Sequence, residues 1–174
     1  MKKLSSILFS LLFISTLCFS QDMDELKKKV QAVNDEFAAK WVAGEMESMW
    51  GGYDVNVISM PSYEPMLRGI EACKESYKKM NESGMKVTAF KSTVSDVMHA
   101  GNLVVDIGTY EITMMIPQMG DMPYNDHGKY MTIWEMQDDG SLKVKAETWN
   151  SDINPWMEMQ KMEKAPEGHE GHQH

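Results

Sequence analysis

Between Gly84 and Asn150 the chain carries four consecutive segments whose apolar residues recur with a period of two. They fall near Lys86–His99, Asn102–Met115, His127–Met136 and Ser141–Asn150. The breaks between them are "HAGN", the longer "PQMGDMPYND", and "QDDG". The last is a hairpin signal, because Asp and Gly tolerate positive φ. All helical signals come earlier. Helices first and strands after them predict an α+β fold, with the helices packed on one face of an antiparallel sheet. Strands this long twist, so the sheet should curl around the helices and enclose a pocket, a common site for small molecules.

The helical part begins at Asp22. Leu26, Val30, Val33, Phe37 and Trp41 recur every three or four residues, which places them on one stripe. Asp22 and Asp24 suit the positive helix N-terminus, and Gly44 suits the stop. "EMESMW" reads as a short second helix closed by Gly51 and Gly52. "YDVNVISM" alternates like a strand, and "PSYEP" breaks it with two prolines. "GIEACKESYKKMNESG" predicts a third helix ending at Gly84. No internal repeat is present.

The two ends read differently from this body. Residues 1–20 have the form of a secretory signal peptide. Lys2 and Lys3 precede the apolar run "LSSILFSLLFISTL", and "CFSQ" offers a cleavage site before Gln21. The run is too short for a membrane span. Cys18 raises a lipoprotein reading, against which Leu17 stands where processing wants a small residue. The expected location is periplasmic or extracellular. The full chain has a net charge of −9, and losing Lys2 and Lys3 takes it to −11. Such acidity argues against nucleic acid and anionic membrane surfaces as partners. Only Cys73 would remain of the two cysteines, so no intrachain disulfide can form. The domain itself spans 21–154. Residues 155–174 form a flexible tail rich in Met and His, whose "APEGHEGHQH" end has nothing to bury.

The order of elements and four stretches of sequence resemble the SnoaL-like and ketosteroid-isomerase-like superfamily, also called nuclear-transport-factor-two-like. The stretches are "WVAGEMESMWGGYDVNVISMP", "MLRGIEACKESYKKM", "GNLVVDIGTYEI" and "DHGKYMTIWEMQDDGSLKVKAETWNSD". The last is the most specific, and it looks like an uncharacterised branch found in exported bacterial proteins. The resemblance implies a cone of curved antiparallel sheet over N-terminal helices, as in cystatin-like folds. It also implies a homodimer.

Steroid isomerases of this superfamily use an aspartate base with an oxyanion hole of tyrosine and protonated aspartic acid. Matching the two chains puts Phe37 at the tyrosine, Met60 at the base and Lys129 near the protonated acid. A thioether cannot transfer a proton, so the resemblance does not carry that mechanism. It does imply a pocket. Trp149 falls on a pocket tryptophan, Tyr53 on a tyrosine behind the oxyanion group, and Trp41 one turn beyond Phe37. With Trp149 inward, a period of two groups it with Glu147 and Lys145, and groups Lys129 with Met131, Ile133 and Glu135. A Lys129–Glu147 pair across a Trp-lined pocket is then expected. The expected lining is Phe37, Trp41, Tyr53, Met60, Tyr110, Lys129, Glu147 and Trp149. Tyr110 and Tyr130 read as packing residues with hydrogen-bonded hydroxyls.

The leading functional expectation is therefore an exported domain that binds a small, partly apolar molecule. The rival is a lyase, isomerase or cyclase with Glu147 as general base and Lys129 or Tyr130 as electrophile. A third reading is a periplasmic metal-handling protein. His169, His172 and His174 could chelate Zn, Cu or Ni weakly, and the methionines of "ITMMIPQMGDMP" could hold Cu(I). No cofactor is called for: the chain has no phosphate loop, dinucleotide fingerprint or G-x-S-x-G signature.

Overall fold

The computed structural model describes residues 2–120 and 122–154, with side chains from residue 22 onward. The His-bearing tail lies outside the described residues. Helix α1 spans Lys2–Ala43, and two turns of 3-10 helix follow at Met46–Ser48 and Trp50–Gly52. Then come β1 (Tyr53–Met60), β2 (Leu67–Arg68), α2 (Ile70–Glu82), β3 (Lys86–Ala100), β4 (Leu103–Met115), β5 (Tyr124–Met136) and β6 (Leu142–Ser151). Among the described residues no helix is long and apolar enough to cross a membrane.

Alpha-one ends where Gly44 predicts. Gly44 adopts φ +76°, a left-handed conformation that glycine takes without steric cost. This lets Gly44 N–H bond Trp41 C=O at 3.0 Å and Glu45 N–H bond Lys40 C=O at 2.8 Å. Two carbonyls of the last turn are thereby satisfied, the arrangement of a Schellman stop. The described apolar core-facing residues of α1 are Leu26, Val30, Val33, Phe37, Ala38 and Trp41, the predicted stripe plus Ala38.

The strands form one curved six-stranded sheet in the order β2-β1-β6-β5-β4-β3. Beta-three, β4, β5 and β6 pair in sequence as an antiparallel meander. Beta-one instead runs parallel to β6. No hairpin joins these two, so no turn dictates their relative direction. Beta-two has only two residues and pairs with Ile58 and Ser59. A strand so short, just after two prolines, carries no periodicity to read. The segment "EMESMW" is two 3-10 turns rather than a helix. Beta-five begins at Tyr124, three residues before its expected start, because Tyr124, Asn125 and Asp126 pair with Met114, Thr113 and Ile112. Asn and Asp are poor strand formers, and the β4 edge overrides that preference.

Bulges bend the sheet. Two interrupt β3, between Val87 and Ala89 and between Val94 and Asp96. A third lies where β5 and β6 pass from Ile133–Ala146 to Trp134–Val144. Each extra residue kinks its strand and increases the local twist. Alpha-one packs chiefly on β3, and α2 on β1. Both lie on one face, here called the inner face. The main core there gathers Val30, Trp50, Tyr53, Val57, Val94, Val104, Trp134 and Val144.

Candidate functional site

The register assigns every strand residue to a face. Glu147 stands opposite Thr132 and beside Ser59, and Trp149 stands opposite Tyr130. Thr132 and Ser59 are buried, so this is the inner face. Glu147 and Trp149 thus share it. Lys145 does not. The bulge at that point places Val144 opposite Trp134 and into the core. Lys145 turns outward instead, where it pairs with Asp54 at 3.1 Å and Glu135 at 3.2 Å. The period of two fails across the extra residue, which is why sequence spacing alone grouped Lys145 with Glu147.

Glu147 is half-buried. Ser59 Oγ donates to its Oε1 at 2.9 Å, and the Tyr53 hydroxyl reaches Oε2 at a weak 3.4 Å. Burial pushes its carboxyl above the ordinary range, and the two hydroxyls oppose that push. Tyr53 is raised well above the usual phenol value by burial and then by Glu147. Cys73, on α2, is close enough to feel the same charge. Burial first and Glu147 second push its thiol up to about 11.

A belt of rings runs from this carboxylate across the inner face. Tyr53 meets Phe37 at 6.5 Å between centroids, Phe37 meets Trp41 at 5.8 Å, and Trp41 meets Phe90 at 4.9 Å. Phe90 lies 6.5 Å from Tyr110, and Trp149 packs into the same cluster. Phe37, Trp41, Phe90 and Trp149 are each only half-buried, so this part of the face is open. Two glycines seat the tyrosines. Tyr130 pairs with Gly108 and Tyr110 with Gly128. A Cβ on Gly108 would come within 2.7 Å of the Tyr130 ring, and one on Gly128 within 2.9 Å of the Tyr110 ring. The rings lie across the glycines because nothing projects there. The Tyr110 hydroxyl then donates to Asp126 Oδ2 at 3.0 Å, and Ser151 Oγ donates to Asp126 Oδ1 at 2.6 Å.

A second polar cluster lies deeper. Asp106, on β4, is fully buried. Asn34 of α1 donates to its Oδ2 at 2.9 Å, and the Tyr130 hydroxyl donates to its Oδ1 at 3.1 Å. The same Asn34 amide also donates to the Tyr130 oxygen at 3.0 Å. Burial raises the Asp106 carboxyl, while these partners lower it. The Trp134 indole N–H also favours the charged form, yet its geometry falls short of a hydrogen bond. Burial first, then Asp106, lifts the Tyr130 phenol above its usual range. This hydroxyl is therefore tied to Asp106 and is a poor electrophile for an inner-face ligand.

Of the eight expected lining residues, six meet on the inner face: Phe37, Trp41, Tyr53, Tyr110, Glu147 and Trp149. Met60 does not join them. It pairs with Thr148, while Ser59 takes the inner position beside Glu147. Lys129 is also elsewhere. It stands opposite Asn150, is exposed, and pairs with Asp152. The expected Lys129–Glu147 pair does not form, because Lys129 shares the outer face with Met131 and Ile133 while Glu147 points inward. His127 lies within β5. Sequence reading missed Asn34, Ser59, Asp106 and Asp126. Asn34 and Asp106 had a usable signal, as each is a polar residue on an apolar periodic face. The described residues hold no group of three or more His, Cys, Asp or Glu placed to bind a metal. Two surface concavities, of about 280 and 460 Å³, are present among the described residues, and Phe90 and Asp126 also border the larger. One is beside Asp24 and Lys28 of α1, and the other is near Lys91, Glu111 and His127.

No family model matches the chain, and no curated protein matches it. Solved structures do resemble it. A ketosteroid isomerase-like protein from Erwinia carotovora atroseptica superposes with a TM-score of 0.60 at 12% identity, covering 71% of this chain and 97% of that one. A nuclear transport factor 2-like superfamily protein from Salmonella enterica gives 0.60 at 8% identity, covering 76% and 94%. A domain of unknown function with a cystatin-like fold from Nostoc punctiforme gives 0.56 at 10%, covering 78% and 83%. Identities this low establish the cone fold and nothing finer.

Proposed function

We propose that the chain is an exported protein that binds a small, partly apolar molecule on the open part of the inner face. One observation supports this above the rest. A hydrogen-bonded carboxylate, Glu147, stands at one end of an aromatic belt, built partly by α1, whose rings Phe37, Trp41, Phe90 and Trp149 are only half-buried. Apolar lining with a few fixed polar groups is the usual composition of a small-molecule site. The test is to purify the protein from its own host, denature it, and examine the extract by mass spectrometry. A discrete compound should be recovered from wild type and depleted from Trp149→Ala. An extract identical for the two proteins would defeat the reading.

Export follows from the sequence of residues 1–20. Cleavage before Gln21 would remove no described core residue, since the first of these is Leu26. An intact mass beginning at Gln21 is expected, whereas a full-length product, or one diacylated on Cys18, would exclude this processing.

Self-association through the outer face completes the proposal. Met98 pairs with Val105, Val105 with Ile133, and Ile107 with Met131, which makes one apolar patch on three adjacent strands. Met98 is 51% exposed and Met131 40%. No described helix covers this patch, and its repetition on a second copy would bury it by two-fold symmetry. Sedimentation should give a dimer that Met131→Lys dissociates. A monomeric wild type would refute it.

Proton transfer by Glu147 is a second reading, favoured by its raised carboxyl and its two hydroxyl neighbours. An activity lost in Glu147→Gln with ligand binding retained would select it. Loss of binding alone would reject it.

A further inference from the structure

We infer that the inner-face site is selective for an organic cation: a protonated amine carried on an apolar body. This rests on the binding reading above and names the class of ligand. The first observation is the charge of the face. Among the described residues the strands place three carboxylates on it, Asp106, Asp126 and Glu147, and neither lysine nor arginine. The nearby lysines are engaged elsewhere. Lys145 holds Asp54 and Glu135, and Lys129 holds Asp152.

The second observation is the state of Glu147. It is half-buried and has hydroxyl partners only. Removing a carboxylate from water without a counter-charge is costly, and a cationic ligand would supply that charge. A neutral ligand would not, and an anion would add repulsion.

The third is what surrounds the charge. Trp149 follows Glu147 by two residues on the same face and precedes Ser151, the residue bonded to Asp126, by two. Carboxylates therefore stand on both sides of one half-open indole. At about 3.4 Å per residue, Glu147 and Ser151 are each roughly 7 Å along β6 from it, and Asp126 lies on β5 beyond Ser151. Aromatic faces attract ammonium groups, tryptophan most strongly. Trp41 and Phe90 extend the apolar surface next to Trp149. An ammonium beside Glu147, with an aromatic or alkyl body along the belt, gives that carboxylate a counter-charge and covers the half-buried rings.

The experiment compares three probes that share a phenyl body, the first two of equal size, by isothermal titration calorimetry at pH 7.5: 2-phenylethylamine, 2-phenylethanol and 3-phenylpropanoate. The amine should bind at least tenfold more tightly than the alcohol, and the propanoate least. Glu147→Gln should abolish the amine's advantage over the alcohol. Wild type gives a second reading without any substitution. Lowering the pH protonates Glu147 while the amine stays charged, so the advantage should shrink. Equal binding of amine and alcohol, or preference for the propanoate, overturns the inference and leaves the binding site standing. Failure of all three to bind at millimolar concentration overturns both.

Discussion

Replacing Asn34 by alanine should destabilise the protein more at neutral than at acid pH. Asn34 donates one hydrogen bond to the Asp106 carboxylate at 2.9 Å and one to the Tyr130 oxygen at 3.0 Å. A bond to a charged group contributes about 1.5–3 kcal/mol and a neutral one about 0.5–1.5 kcal/mol. The substitution should therefore cost about 2–4.5 kcal/mol at pH 7.5. With Asp106 protonated both bonds are neutral, and the cost falls by about 1–1.5 kcal/mol. The direction follows from linkage. Burial raises the folded-state pKa of Asp106, so the folded chain holds this proton to higher pH than the unfolded chain. Asp106 then costs stability as pH rises from the ordinary aspartate range through its folded value. Asn34 lowers that folded value, and its loss extends the costly window upward. Urea denaturation followed by circular dichroism at pH 7.5 and pH 4 measures both numbers. With a slope of about 2 kcal/mol per molar urea, the midpoint should fall by about 1–2 M at pH 7.5. The same loss at both pH values, or none at pH 7.5, would show that Asp106 is not the buried charge described.

Gly108→Ala should be severe, because its Cβ would stand 2.3 Å from the Thr93 carbonyl oxygen and 2.7 Å from the Tyr130 ring. Overpacking of this kind costs about 1–3 kcal/mol or more, and an unchanged urea midpoint would mean the ring does not lie across the glycine. Cys73 is buried with its thiol pushed up to about 11, so it should resist a thiol reagent at pH 8 in the folded protein and react on unfolding. Rapid reaction of the native protein would contradict that placement.

The fold was legible because its elements are long. Four strands of ten or more residues and a helix with five apolar residues on one stripe leave little room for another arrangement. The short pieces were not legible. Leu67–Arg68 exists as a strand only because Ile58 and Ser59 are there to pair with it. The site divides in the same way. Glu147 and Trp149 lie two residues apart on one side of the bulge, so alternation placed them on one face. Lys145 lies at the bulge, and the same alternation misplaced it. Met60 was placed by its likeness to a catalytic position, but the pairing of Ser59 with Glu147 turns Met60 outward. The partner of Glu147 depended on which face of β5 looks inward. That choice rests on Thr132 and Trp134 being buried, a tertiary fact that the alternating segment "KYMTIWEM" leaves open in either sense.

The carboxyl of Glu147 is the centre of the account, and its titration tests that account most directly. Carbon-detected NMR of the glutamate side chains, with Glu147→Gln to assign the signal, follows it across pH. Desolvated and without a cationic partner, Glu147 should titrate above the ordinary glutamate value of about 4.3. A value at or below that would mean that Glu147 is either freely hydrated or paired with a basic group, and the inner face would not be the site proposed.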